Sequence, residues 1–117
     1  MTRTIETALI VVQSLRKEDA ASVPIVICPD LREAHDAECN KGMPRAVMQS
    51  KYPDLDFLQC PENWDYEMHT PQAAIKRAER VRKLLKEFTS KYQNILLISH
   101  RGFLAFLVQG SRFEVCG

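Results

Sequence analysis

A chain of 117 residues with 45% hydrophobic and 26% charged side chains has the length and balance of one globular domain around one core, and argues against a disordered tail. Sixteen Lys and Arg against fifteen Asp and Glu leave a net charge of +1, so there is no electrostatic footprint for nucleic acid or an anionic membrane. No stretch approaches the roughly 20 apolar residues that cross a bilayer, and the first residues lack a secretory signal pattern, so the expected location is the cytoplasm or nucleus.

Ile5, Ala8, Leu9, Val12 and Leu15 recur at steps of three and four, which predicts a helix over about 4–17 with one apolar stripe. An α/β domain more often opens on a strand, so an upstream segment is expected to be missing. Pro24 to Cys28 is a short β-branched run bounded by prolines, the pattern of a strand buried on both faces. Residues 29–43 and 53–70 mix charge, prolines and turn formers and read as long loops. Between them a short helix is expected to start near Pro44, with the proline in its first turn where the missing N–H costs nothing, and to end before Pro53.

Thr70-Pro71 is a helix start with a capping hydroxyl, and Ala74, Ala78, Val81, Leu84, Leu85 and Phe88 line one face for about five turns. The basic residues of this helix, Lys76, Arg77, Arg80, Arg82, Lys83 and Lys86, alternate with apolar ones and read as a solvated face. Residues 94–99 hold Ile95, Leu96, Leu97 and Ile98, a run too short for a helix and suited to a central parallel strand. The polar turn Ser99-His100-Arg101-Gly102 follows, then an apolar helix over 103–108 closed by Gly110. Alternation of this kind predicts an α/β fold, a three-layer sandwich with a mainly parallel sheet.

Cys28, Cys39, Cys60 and Cys116 are scattered through a chain without a secretory signal and read as reduced thiols. His35, Asp36, Cys39 and Cys60 lack the paired spacing of a zinc site; loop residues account for them, and no metal is expected. Ligands of open α/β sheets bind past the carboxyl ends of strands, which is where His100 falls. The helix start behind it offers unpaired N–H groups and partial positive charge suited to a phosphate, and Gly102 permits close approach.

Three strings carry a family resemblance. LLISHRGFLAFL, at 96–107, resembles the second-histidine motif of the histidine phosphatases of the phosphoglycerate mutase-like superfamily, and His100 matches that histidine. TRTIETA, at 2–8, resembles the segment whose arginine grips the substrate phosphate, and Arg3 matches it; a guanidinium suits the task through two parallel charge-assisted hydrogen bonds. ICPDLREAHDAECNKG, at 27–42, resembles the stretch in which a Leu-Arg-Glu glutamate donates a proton to the leaving group, and Glu33 takes that position. The loop wording is most similar to fungal members often labelled phosphoglycerate mutase-like.

The resemblance implies a phosphomonoesterase working through a phosphohistidine, on a phosphorylated small molecule or phosphopeptide, without metal or cofactor. Arg3 and His100 would bind the phosphate, and His100 and Glu33 would serve catalysis. Phosphatase chemistry is favoured over mutase chemistry because nothing identifies a lid that keeps water from a phosphohistidine. Two departures stand out. The sequence contains no Arg-His-Gly, the tripeptide whose histidine attacks phosphorus in the family, and Arg101 replaces a glycine. The expectation is a truncated single domain over 1–117, inactive by itself, of marginal stability or self-associating through an exposed sheet; the competing reading is a noncatalytic phosphate-binding or interaction module. A third reading is a partner surface on the basic helix face around Arg77 and Arg82.

Overall fold

The computed structural model describes residues 2–16, 23–35, 42–63, 66 and 69–108. Among them the regular elements are α1 (Thr2–Arg16), a 3-10 turn over Pro29–Leu31, α2 (Arg45–Lys51), α3 (Pro71–Phe88) and α4 (Arg101–Val108). The chain packs as two compact units, one from Met1–Pro29 and Ala37–Glu67, the other from Asp30–Asp36 and Met68–Gly117. No helix among the described residues is long and apolar enough to cross a membrane.

In the first unit, Ile5 of α1 and Met48 of α2 pack with Leu55, Phe57 and Cys60, all at most 9% exposed. Ile25, Ile27, Met43 and Tyr52 close around them. Pro44 stands one place earlier than the sequence pattern predicts: it is the N-cap of α2, with extended ψ, and its carbonyl accepts from Val47 N and Met48 N at 3.0 and 3.1 Å. Tyr52 leaves the helix, as a residue before proline is driven to do. The stretch after Pro53 is more ordered than a loop without periodicity suggests. The Arg45 guanidinium donates to the carbonyls of Leu58 and Cys60 and to the Glu62 carboxylate, and Gln49 donates to Leu55 O at 2.8 Å. Apolar residues at 55, 57 and 60 thus enter the core without any helix or strand to carry them.

Glu6 of α1 accepts from Lys51 Nζ at 3.2 Å and from the Tyr52 hydroxyl at 3.1 Å. The bond from Lys51, then that from Tyr52, holds this carboxyl below its ordinary range. Cys28 and Cys60 are thiols outside any disulfide, and burial pushes the Cys60 thiol up. Cys39 and Cys116 lie outside the described residues.

In the second unit α3 packs on α4. Thr70 caps α3 as its sequence predicts, the hydroxyl accepting from Ala73 N at 3.1 Å, with Pro71 in the first turn. Replacing it, Thr70→Ala, is expected to cost about 1 kcal/mol, read as a lower urea midpoint at unchanged slope. Ala74, Ala78 and Val81 are buried along α3 as the apolar spacing predicts, and Phe103 and Leu107 of α4 are buried too. Leu84, Leu85 and Phe88 are only half-buried.

The α/β sandwich with a parallel sheet is not found: among the described residues no strand or bridge is formed. Both segments expected to be buried strands lack regular secondary structure and make no ladder. Residues 23–28 leave Val26 at 55% exposure, and 94–100 leave Ile95 at 37% and Leu96 at 67%. An apolar β-branched run favours a strand, but a strand also needs neighbours to take its alternate backbone donors and acceptors. The same finding removes, for the described residues, the sheet edge through which self-association was expected.

The reading of the basic residues of α3 as a solvated face also needs correction. Arg77 is 4% exposed, and Arg82 is half-buried with Nη1 donating to the carbonyls of Phe106 and Leu107 at 3.3 and 3.0 Å. Arg82 thereby satisfies carbonyls near the end of α4 that have no acceptor role within the helix. A partner surface centred on these two arginines therefore has no support. Lys76, Arg80, Lys83 and Lys86 are exposed as expected.

Candidate active site

The second unit brings Glu33 and His100 together. Residues 94–100 lead directly into α4, and the His100 carbonyl accepts from Leu104 N at 2.9 Å, so His100 occupies the N-cap position of that helix. Ser99 ties the same segment to the turn carrying Glu33 by donating Oγ–H to Leu31 O at 2.8 Å. Glu33 Oε1 accepts from the backbone N–H of Ala34 at 2.6 Å, and its other oxygen lies 3.9 Å from His100 Nδ1, with the side chains 15% and 10% exposed. At that separation there is no hydrogen bond. A protonated imidazole would still feel the carboxylate strongly in so little solvent.

Gly102 is required at the second position of α4 by close approach. A Cβ there would collide with Glu33 Oε1 and would lie 2.9 and 3.0 Å from Cδ2 and Nε2 of His35. The His35 ring is exposed and meets His69 edge-on at 5.9 Å between centroids, and His69 in turn meets Phe106 at 6.1 Å. All three histidines of the chain therefore belong to this unit. Sequence spacing marks His100 alone, because neither His35 nor His69 follows a strand-like run with a glycine turn.

Behind the Glu33 turn stands Arg77. Its Nη1 donates to the carbonyls of Asp30 and Arg32, both at 3.0 Å, and its Nη2 to Glu33 O at 3.3 Å. The guanidinium carbon sits 4.6 Å from the centroid of the Phe103 ring. Burial first, then the neighbouring Arg32, lowers the guanidinium pKa to about 10, so the group is still charged at neutral pH. Arg80 secures the same turn from solvent, Nε and Nη2 meeting the two Asp30 carboxylate oxygens at 2.8 and 2.7 Å. The signal for Arg77 is present in the sequence: 74, 77, 78 and 81 form one helical stripe, and Arg77 is its single polar member.

Arg3, the third residue singled out by the sequence, lies in the first unit, exposed on the first turn of α1, where its carbonyl accepts from Thr7 Oγ1 at 2.9 Å. The four scattered zinc-type residues are not assembled by anything on view: Asp36 and Cys39 lie outside the described residues, among which no group of three His, Cys, Asp or Glu is placed to hold a metal ion.

A sequence model of the family described as Histidine phosphatase superfamily (branch 1) matches residues 1–111. No curated protein matches the chain, and no solved structure does.

Proposed function

Because the chain belongs to the histidine phosphatase superfamily, branch 1, we propose that Glu33 and His100 form the phosphate and leaving-group side of a phosphomonoesterase-type site, acting on a phosphorylated small molecule or phosphopeptide. The observation that carries this reading is the approach of the Glu33 carboxyl to within 3.9 Å of His100 Nδ1, both side chains nearly enclosed. When a phosphomonoester is cleaved without a nucleophilic histidine, a water oxygen bonds to phosphorus and gives its proton up to solvent, the P–O bond to the alcohol breaks, and the departing oxygen takes up a proton. Glu33 in its acid form supplies that proton. His100 in its protonated form donates to a nonbridging oxygen, where charge is greatest during transfer. The role that the resemblance implies for Arg3 is added from sequence alone.

The family attack on phosphorus comes from the histidine of an Arg-His-Gly, and no such tripeptide occurs in this sequence. That one observation favours a second reading, a noncatalytic module that binds phosphate through the same residues.

Turnover of an aryl phosphate by the purified chain, lowered on the order of 10²–10³-fold by His100→Ala as for loss of one transition-state donor, would select the phosphomonoesterase over the expectation of an inactive chain. No turnover, with inorganic phosphate bound in a His100-dependent way, would select the noncatalytic module. Neither turnover nor phosphate binding would defeat both.

A further inference from the structure

We infer that Arg77 is a positioning residue, the clamp that holds the Glu33 turn so that its carboxyl is presented to His100. The inference rests on the proposed role of Glu33 for its catalytic consequence, but its structural content stands on separate observations. One planar guanidinium reaches three carbonyls, those of Asp30, Arg32 and Glu33. Over residues 29–33 the chain makes a 3-10 turn and then leaves regular structure, so it lacks the ladder of bonds that would otherwise fix its course. The fork of Arg donors matches several acceptors at once, which a single ammonium cannot do. The other face of the guanidinium lies over Phe103, the residue directly after Gly102, whose missing side chain leaves room for the Glu33 carboxyl. Arg77 therefore touches both walls of the candidate site: the turn that carries Glu33 by hydrogen bonds, and the start of α4 that carries His100 by ring contact. It does not itself face the reacting atoms.

Placing a charged residue on the apolar stripe of a helix is costly unless its donors are satisfied. On α3 the outward residues Lys76, Lys83 and Lys86 are exposed, whereas Arg77 alone among the basic residues is enclosed. Holding Glu33 in place accounts for that position; general packing would be served as well by an apolar side chain.

The test reads the Ala34 amide, which donates to Glu33 Oε1 in a fully buried residue, against the Val81 amide inside α3. Hydrogen exchange is measured by NMR on the full chain and on Arg77→Met and Arg77→Lys. In Arg77→Met the Ala34 amide is expected to exchange about tenfold faster relative to Val81, the equivalent of one lost hydrogen bond. Arg77→Lys, which keeps the charge without the fork, should fall between. An unchanged Ala34 to Val81 ratio in the variants that fold overturns the clamp, and so does a uniform acceleration of both amides, which would mean that Arg77 only stabilises the fold. Should Arg77→Met fail to fold, the ratio in Arg77→Lys decides.

The catalytic consequence has its own readout. Arg77→Lys should slow an alkyl phosphate, whose leaving group needs the Glu33 proton, more than a nitrophenyl phosphate, whose leaving group does not. Equal slowing of the two substrates overturns a positioning role in catalysis. Absence of turnover in the unaltered chain would count against the proposed phosphomonoesterase, while the exchange ratio would still decide the clamp.

Discussion

Phe103→Ala is expected to lower stability by about 3–5 kcal/mol, the cost of emptying an aromatic site that cannot collapse. The ring is fully buried on the face of α4 that meets α3, and it lies under the Arg77 guanidinium, so the variant loses both packing and a cation–π contact worth about 0.5–2 kcal/mol. Total stabilities of single domains are only about 5–15 kcal/mol, so the variant should sit near its unfolding limit at 37 °C. Urea unfolding followed by circular dichroism gives the test, with Phe103→Leu as the comparison that keeps most of the volume and loses the π face. A midpoint for Phe103→Ala close to the parent's would mean that α4 does not anchor the second unit.

Gly102→Ala should behave in the opposite way, sparing the fold and damaging the site. In a helix alanine is favoured over glycine by about 0.8–1 kcal/mol, which offsets part of the roughly 1–3 kcal/mol of overpacking. The added Cβ collides with the end of the Glu33 side chain and presses on the His35 ring. Both are ends of side chains, so they yield before the backbone does, and Glu33 moves away from His100. A displacement near 1 Å at a reacting group costs on the order of 10²-fold in rate. The expected result is therefore loss of alkyl phosphate turnover by about that factor, with nitrophenyl phosphate turnover less affected and a melting temperature within a few degrees of the parent's. Retained activity would show that Glu33 is not held where the mechanism needs it; a collapse of the fold would show that Gly102 serves packing alone.

The two variants separate what the residues of one helix do. Phe103 and Gly102 are neighbours, yet one faces the α3 contact and the other the Glu33 turn, as helical geometry requires of successive positions.

Local structure was legible wherever it depends on residues near in sequence. The cap of α3 could be read from Thr70-Pro71, its length from the Ala and Leu spacing, and α1 from its stripe at 5, 8 and 12, because a helix closes its hydrogen bonds within itself. His100 and Glu33 could be named from short motifs for a similar reason, since a turn before a helix is a local event. Sequence alone thus determined the family, the helices and two of the residues on which the proposed site depends.

Tertiary structure decided what depends on partners distant in the chain. Residues 24–28 and 94–99 have the composition of buried strands, but sheet formation needs a second strand to complete the hydrogen bonds, and none is paired among the described residues. Arg77 looks like a solvated helix residue until the carbonyls of 30, 32 and 33, more than forty positions away, are brought to it. The reason is the same in both cases: the energy of a backbone polar group is set by the group that satisfies it, and composition does not say where that group will be.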